Sequence, residues 1–292
     1  MVHPAALVPQ PPRLALVTCA ELPAGDDDDA RLPGLLHGAT WEVWDDPGVD
    51  WAAYDLVVLR SPWDYQRRRD AFVAWAEGVG DRLVNPPEVI RWNTDKRYLG
   101  DLVKAKLGVV PTAFVAKGEP FNPPPGEHVV KPTISAGSRD TARFSPGEER
   151  RSTALVQSIH ASGRTAMVQP YVPSVDDRGE TALLYFDGAF SHAIAKGPIL
   201  EPGAEPTQDL YASEEIEARE PTAEERQVAD RVVAWVAERF GGPLAYARVD
   251  LVEGAGGRTQ LLELELTEPS LFFAHAAGAD ERFAAAVLRR TA

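Results

Sequence analysis

Residues 260–270 read QLLELELTEPS, a strand pattern that runs into a turn. Glu263 and Glu265 are two positions apart, so on a strand their side chains point to the same face. Residues 267–270 form the turn, and polar side chains beside a loop at a strand end are well placed to bind a ligand. The leucines that alternate with the glutamates predict a core-facing side: Leu262, Leu264 and Leu266.

A second strand pattern, AYARVDLV at residues 245–252, adds one more acidic side chain. If the two strands are neighbours, Asp250 lies within reach of Glu263 and Glu265 on one sheet face. Carboxylates gathered on one face repel each other unless a cation neutralises them, and an oxygen-only site with open positions suits Mg²⁺. A solvent-facing polar strand side is the alternative that the spacing alone leaves open.

Two lysines add a candidate phosphate-binding element. Lys96 lies in NTDKRYL, and Lys131 lies in the strand pattern HVVKP just before the small-residue loop TISAGSRDT, residues 133–141. Backbone N–H groups of such a loop can surround phosphate oxygens, and a lysine adds a point charge. Either lysine alone is more often a surface residue, and the loop does not match the P-loop pattern.

The rest of the chain alternates strand and helix patterns, which predicts an α/β fold. Residues 14–18 and 55–59 are short apolar strand patterns, and 69–79 has helical spacing before Gly80. Asp187-Gly188 is a two-residue hairpin signal because both turn positions favour positive φ. The capping box of Thr222 and Glu225 begins a further helix.

The composition and charge of the chain limit the kinds of molecule that it is expected to bind. The 292-residue chain has a formal charge of -14, whereas nucleic-acid binding needs a basic surface that releases counterions. It has no apolar run near the roughly 18 residues of a membrane span, and the single cysteine, Cys19, favours a reducing cytoplasm. The acidic run Asp26–Asp29 predicts a solvated loop, with a metal site as the alternative.

In chain order these features resemble the ATP-grasp superfamily, in particular its glutathione synthetase and RimK-like branch. Bacterial glutathione synthetases carry Glu-x-Asn-x-Thr-x-Pro at the spacing of Glu263, Glu265, Thr267 and Pro269, and this chain departs from that motif at Glu265. The resemblance implies an α/β (α+β) ATP-grasp fold. Its parts would be an N-terminal Rossmann-like α/β domain at 1–90 and two α+β subdomains that clamp ATP, the central lid at 91–168 and the metal-binding part at 169–292.

The resemblance also implies ATP and Mg²⁺ as cofactors and a role for each matching residue. Asp250, Glu263 and Glu265 would hold Mg²⁺, while Arg248 and Lys196 would act in catalysis. Residues 135–141 would close over the phosphates, and we expect this loop to order only with nucleotide bound. The residues implied for ATP binding are Lys96, Lys131, Ser135, Gly137, Ser138, Gln169, Tyr171, Val172 and Glu180.

Candidate substrate-binding residues follow the DLVVL strand pattern. Arg60, Ser61 and Asp64 lie beyond its carboxyl end, where ligands of open α/β sheets bind. A helix-capping loop with exposed charges is an equally weighted alternative. Arg139 is a further substrate candidate, and His192, on a hairpin strand, favours a structural role.

The phrases RWNTDKRYL, GETALLYFDGAFSHAIAKGP and LLELELTEPSLFF resemble most the cyclo-ligases that form D-cycloserine from O-ureido-D-serine. The resemblance implies phosphorylation of the substrate carboxylate by ATP, then attack by a nitrogen of the same small, amino-acid-like molecule. Two alternatives stay open: an intermolecular ligase that joins an amino acid or peptide carboxylate to an amine, and a non-catalytic nucleotide-binding protein. A homodimer and the order of residues 1–12 are also left open.

Overall fold

The computed structural model describes residues 11–206 and 215–291, which form three β-sheets surrounded by helices. Residues 1–10, part of the segment whose order the sequence leaves open, lie outside the described residues. In the part of the chain that is described, no helix is both long and apolar enough to cross a membrane. The mixed α/β architecture predicted from the sequence is confirmed.

The N-terminal sheet is parallel, with its strands in the order β2-β1-β3-β4. Every residue of its two central strands is buried, as expected for a parallel sheet covered on both faces. Gly80 ends the predicted helix with a positive φ, a conformation that glycine adopts without strain. The elements are β1 (Leu14–Thr18), α1 (Leu32–Leu35), β2 (Thr40–Val43), β3 (Leu56–Ser61), α2 (Arg69–Val79), β4 (Leu83–Val84) and α3 (Pro87–Asn93).

The middle sheet is antiparallel, in the order β5-β8-β6-β7. One helix covers it: Val156 and Ile159 of this helix pack in a small core with Val130 and Val168 of the sheet. The elements of this region are α4 (Leu99–Lys104), β5 (Ala113–Val115), β6 (His128–Pro132), β7 (Ala142–Phe144), α5 (Glu149–Ala161), β8 (Ala166–Pro170) and α6 (Ser174–Arg178); the covering helix is α5.

The C-terminal sheet is antiparallel, in the order β11-β10-β9-β12-β13. Asp187 and Gly188 join β9 to β10, and both have positive φ, which confirms the predicted hairpin. Thr222 and Glu225 form the predicted capping box at the start of α7. The elements are β9 (Glu180–Phe186), β10 (Ala189–Lys196), β11 (Ile216–Ala218), α7 (Ala223–Phe240), β12 (Tyr246–Glu253), β13 (Thr259–Glu265) and α8 (Ala279–Leu288).

Both faces of the C-terminal sheet are covered by apolar side chains. On one face, Val232 of α7 belongs to the same core as Val249 of β12. On the other, Tyr246 of β12 packs in one core with Phe283 of α8 and Leu16 of β1. The parallel sheet is therefore packed against the C-terminal sheet, which brings the carboxyl end of β3 close to the turn that follows β13.

A β-bulge on β13 changes one detail of the predicted strand. Asp250 lies opposite Glu263, but its neighbour Leu251 lies opposite Leu261, so the extra residue Leu262 has no partner on β12. Leu261 is fully buried, whereas Leu262 is only half-buried and lines a cavity. The prediction of a core position for Leu262 is therefore wrong because the bulge shifts the alternation; for Leu264 and Leu266 it is confirmed.

Candidate active site

A cavity of about 510 Å³ is lined by residues of both the middle and the C-terminal sheet. All residues predicted for ATP, for metal or for catalysis lie on its wall. They come from strands of both sheets, from the segments that follow β6 and β8, and from a short 3₁₀ helix at Lys96–Tyr98. The tertiary structure thus gathers side chains that are far apart in sequence. These residues are Lys96, Lys131, Ser135, Gly137, Ser138, Gln169, Tyr171, Val172, Glu180, Lys196, Arg248, Asp250, Glu263 and Glu265.

The pairing of β12 with β13 determines how the acidic side chains meet the cations. Arg248 lies opposite Glu265 and Asp250 opposite Glu263. The Arg248 guanidinium donates two hydrogen bonds to Asp250, at 2.9 and 3.0 Å, and a third to Glu265. Because alternate residues of a strand share a face, this ladder presents one arginine and three carboxylates to the cavity.

Three lysines complete the charge network. Lys196 on β10 contacts Asp250 at 2.8 Å and Glu180 at 2.7 Å. Lys96 contacts Glu263 at 2.9 Å and donates to the Ser135 carbonyl oxygen at 2.9 Å. Lys131 approaches the other Glu263 oxygen at 3.6 Å. Lys96 therefore joins the predicted phosphate loop to the predicted metal ligands.

The carboxylates differ in how strongly the network stabilises their charge. Burial pushes the pKa of Glu263 upward, but Lys96 and the neighbouring lysines outweigh it and bring the pKa to about 2. Burial raises the pKa of Glu265 to about 8, against the effect of Arg248 and with that of Asp250 and Glu263. Opposite charges lower the pKa of a carboxyl group, whereas burial and like charges raise it. Burial therefore makes Glu265 much harder to ionise than Glu263, whose charge the lysines stabilise.

The chemistry of these carboxyl groups bears on the metal prediction. The donors are oxygens only, which suits a hard cation such as Mg²⁺. A bound cation would favour the ionised form of Glu265, whose pKa is raised first by burial and then by Asp250 and Glu263. Among the described residues, however, no group of three His, Cys, Asp or Glu side chains is arranged to hold an ion. The donor chemistry thus fits a metal that phosphate oxygens help to hold, and the three ligands stay a prediction.

One end of the cavity is apolar and suits a nucleotide base. Val129, Leu200 and Leu262 line it, close to Tyr171 and Val175. Gln169 donates to Thr112 at 2.9 Å, and the Arg143 guanidinium stacks 3.4 Å from the centre of the Tyr171 ring. Sequence reasoning missed these aliphatic side chains because ordinary core residues have the same composition.

The predicted substrate residues lie outside the cavity lining that the structure describes. Arg60 is buried, pairs with Asp29 at 3.0 Å and donates to the Pro269 carbonyl oxygen at 3.2 Å. Ser61 hydrogen-bonds with Thr18 at 2.9 Å. Asp64 accepts from the Trp44 indole at 2.8 Å, and Arg139 is likewise absent from the lining. A substrate role for these four residues stays a prediction without support from their position.

The acidic run Asp26–Asp29 is a capping and pairing element. Asp26 caps a short 3₁₀ helix, Asp29 pairs with Arg60, and Asp28 accepts hydrogen bonds from the backbone N–H groups of Phe273 and Ala274, at 2.8 and 2.9 Å. The expectation of a solvated loop therefore fails for Asp29, which is buried because it meets the Arg60 guanidinium.

Residues 268–275 form a wall of the cavity that the sequence analysis did not assign. We call this segment the turn wall. Its side chains Glu268, Ser270, Phe272 and His275 face the cavity together with Trp63 and Tyr65. Side chains from other elements donate hydrogen bonds to four consecutive carbonyl oxygens of the turn wall. The donors are Trp63 for residue 268, Arg60 for residue 269, Arg248 for residue 270 and His192 for residue 271.

Comparison with known proteins places the chain among ligases. A family model described as D-cycloserine synthetase DcsG, N-terminal domain, matches residues 14–85. The cycloserine biosynthesis protein DcsG of Streptomyces lavendulae is 39% identical over 95% of this chain and 98% of its own length. Glutathione synthetase of Ralstonia nicotianae is 24% identical over 50% of this chain and 46% of its own.

Comparison with solved structures agrees with the sequence comparison. The crystal structure of D-cycloserine synthetase DcsG superposes with a TM-score of 0.83 at 38% identity and covers 96% of this chain and 99% of that one. D-alanine–D-alanine ligase from Bacillus anthracis superposes with a TM-score of 0.62 at 13% identity, covering 96% and 97%. The second likeness concerns the fold alone.

Proposed function

Since this chain belongs to the D-cycloserine synthetase family of ATP-grasp ligases, we propose that it converts O-ureido-D-serine to D-cycloserine with release of ADP and phosphate. Water then removes the carbamoyl group from the ring nitrogen as carbamic acid, which breaks down to carbon dioxide and ammonia. The chain is a ligase that forms a carbon–nitrogen bond. The observation that supports the proposed substrate is 39% identity to the Streptomyces lavendulae protein over almost the full length of both chains. We further propose that Mg²⁺ and ATP bind in the charged cavity.

Lys96 and Lys131 bind phosphate oxygens of the nucleotide in this proposal. Their ammonium groups lie 2.9 and 3.6 Å from Glu263 and line the cavity next to Ser135 and Gly137. Charge-assisted hydrogen bonds from lysines hold phosphates as point charges. Backbone N–H groups of the 135–141 loop add weaker contacts, and the apolar end at Leu200 receives the adenine.

Arg248 stabilises the negative charge that develops on the transferring phosphoryl group. Its guanidinium is held in place by Asp250, which is itself 1% exposed, so the donor is oriented before the substrate arrives. Lys196 also neutralises Asp250, at 2.8 Å. Neither residue transfers a proton in this mechanism; both contribute position and charge.

Asp250, Glu263 and Glu265 would hold Mg²⁺ together with phosphate oxygens. When bound, the metal ion neutralises phosphate charge and orients the phosphates for in-line attack by the substrate carboxylate. If Glu263 held the ion, it would give up its contacts with Lys96 and Lys131, and both lysines would then be able to bind phosphate oxygens. We expect this exchange of ion-pair partners to couple metal binding to nucleotide binding.

Ring closure requires that the acyl phosphate meets a nitrogen of the same molecule before it meets water. The turn wall, with Trp63 and Phe272, lines the same cavity, and in this proposal the small folded substrate binds beside it. Closure of the 135–141 loop over the phosphates would exclude water, and the ordering of that loop by nucleotide stays a prediction.

The experiment that tests this function measures ADP release and D-cycloserine mass with Mg-ATP and O-ureido-D-serine. The wild-type chain should form both products, and Glu263→Gln should lose cycloserine formation by at least about 100-fold, because removing one charge-assisted ligand set costs several kcal/mol. Glu238→Gln, on the exposed side of α7, is the matched control.

A second readout separates binding from turnover. Mn²⁺ added in place of Mg²⁺ with a non-hydrolysable ATP analogue should bind to the wild-type chain and weakly to Glu263→Gln, as followed by electron paramagnetic resonance. Unchanged Mn²⁺ binding by the variant would remove Glu263 from the metal site. Tight nucleotide binding without cycloserine formation by the wild type would refute the proposed substrate.

The remaining predictions concern partners. A small, amino-acid-like substrate fits the family. A cytoplasmic location, the absence of a nucleic-acid partner and the open question of a homodimer stay at the level of prediction.

A further inference from the structure

The acidic residues that line the cavity fall into two groups. Glu180, Asp250, Glu263 and Glu265 each pair with a lysine or an arginine of the lining, whereas Asp26, Asp28 and Glu268 form no salt bridge among the described residues. An amino-acid substrate has both charges on one carbon: a carboxylate, which must approach Arg248, and an α-ammonium group. An acidic side chain that no cation of the protein neutralises is suited to meet that ammonium group.

Of these three acidic residues, Glu268 is the one best placed to meet the ammonium group. Asp28 already accepts two backbone N–H groups, and Asp26 caps the start of a short helix. By contrast, among the described residues no lysine, arginine or histidine forms a salt bridge with Glu268: Lys96 pairs with Glu263 and Arg248 with Glu265. Its carboxylate lies beside the Tyr65 phenol.

The position of Glu268 is determined by the fold. The Trp63 indole donates to its carbonyl oxygen at 3.0 Å, and Arg60 holds the next carbonyl oxygen at 3.2 Å. Thr267 and Pro269 on either side are buried. A carboxylate on so constrained a backbone is oriented before the ligand binds, which lowers the entropy cost of recognition. Glu268 also lies within electrostatic range of Arg248 and Lys96.

We propose that Glu268, oriented by Tyr65, binds the α-ammonium group of the substrate and makes the enzyme specific for α-amino acids. This inference rests on the proposed function, since it names the part of the substrate that the turn wall recognises. Glu268 acts on the substrate in the ground state and the transition state alike, because the ammonium group does not react. Its removal should therefore change kcat/KM for ammonium-bearing substrates and leave other carboxylates unaffected.

The test compares two substrates in two proteins. One substrate is O-ureido-D-serine, and the other is its des-amino analogue, in which hydrogen replaces the α-amino group. The wild-type chain should prefer the amino substrate, and Glu268→Gln should lose that preference through a kcat/KM drop on the order of 10- to 100-fold for the amino substrate alone. Equal losses for both substrates, or an unchanged preference, would overturn the proposal.

Two further variants and a binding measurement complete the test. Tyr65→Phe should weaken the same preference by a smaller factor, because it removes the hydroxyl that orients Glu268 and keeps the ring. Glu238→Gln should keep the wild-type preference. Calorimetric binding of both substrates with a non-hydrolysable ATP analogue gives the same comparison without turnover. A failed cycloserine reaction would thus count against the proposed function, whereas loss or retention of the binding preference decides the role of Glu268.

Discussion

The Arg60 guanidinium donates a hydrogen bond of 3.2 Å to the carbonyl oxygen of Pro269, across 209 positions of sequence. The same guanidinium forms a buried pair with Asp29 and lies 5.3 Å from the centre of the Phe283 ring. Arg60 lies near the carboxyl end of β3, where a substrate ligand was expected, yet its contacts are to the protein. It connects the parallel sheet to the turn wall, and so holds one side of the cavity in place.

Replacing Arg60 should therefore lower the free energy of unfolding rather than act directly on substrate binding. Arg60→Met leaves the buried Asp29 carboxylate without its cation, and such a change costs about 3–5 kcal/mol. Urea unfolding should show this loss, and Arg60→Met combined with Asp29→Leu should recover much of it. Arg67→Met, which breaks a half-exposed pair with Glu21, is the control and should cost less than about 1 kcal/mol. A higher KM for the substrate with unchanged stability would instead favour direct substrate binding by Arg60.

Asp28 should be required for the shape of the turn wall. Its carboxylate holds the N–H groups of Phe273 and Ala274, and the preceding Phe272 has a positive φ, which is unfavourable for a bulky residue. Asp28→Ala should lower the free energy of unfolding by about 1–3 kcal/mol and reduce kcat, because Phe272 lies 5.6 Å from the Arg248 guanidinium.

Asp27→Ala provides the control from the same acidic run, since Asp27 is exposed. Urea unfolding and steady-state kinetics of both variants should separate them clearly. If the two variants behaved alike, Asp28 would have no special part in holding the turn.

His192 should make the stability of the protein depend on pH in the weakly acidic range. Burial lowers its pKa from the ordinary value of 6.5, and the Leu271 carbonyl oxygen, 2.9 Å away, only partly opposes the shift. Between the lowered pKa and 6.5 the unfolded chain binds more protons than the folded chain. The stability that neutral, buried His192 contributes is thus complete above pH 6.5. It is lost as the pH falls from there through the lowered pKa.

Substitution of His192 should remove this dependence. In His192→Gln the amide can still donate to Leu271, and the slope of unfolding free energy against pH should flatten by up to about 1.4 kcal/mol per pH unit. His37→Asn, at an exposed position, should leave the slope unchanged. Chemical unfolding at a series of pH values between about 5 and 8 makes the comparison, and parallel slopes in wild type and His192→Gln would contradict it.

Lys131 should matter for nucleotide affinity more than for folding. Its ammonium group lies 3.6 Å from Glu263, a weaker contact than the 2.9 Å of Lys96, so it can turn to a phosphate at little cost. Lys131→Met should raise the KM for ATP on the order of 10-fold. Lys104→Met, with its side chain 81% exposed, should bind ATP normally. Competition with a fluorescent ATP analogue measures both, and equal affinities would exclude Lys131 from the phosphate site.

Local patterns in the sequence predicted the elements and much of the cavity. The Asp187-Gly188 hairpin and the Thr222 capping box depend on residues a few positions apart, whose backbone preferences hold in any fold. The period of two along a strand was enough to place Glu263 and Glu265 on one face. The resemblance carried by the order of motifs implied which lysines and acidic residues belong to one site. All of them line one cavity, while their individual roles stay predictions.

Tertiary structure alone decided which polar side chains pair within the protein and which line the cavity. Arg60 and Asp64 have the composition of a binding loop, but Asp29 and Trp44 bind them, and neither partner is near in sequence. The bulge at Leu262 depends on the register with β12. The position of Glu268 in the turn wall depends on donors from β3 and the loop after it. Sequence determines local conformation through nearest neighbours, whereas burial and ion pairing depend on contacts that form only when distant segments pack together.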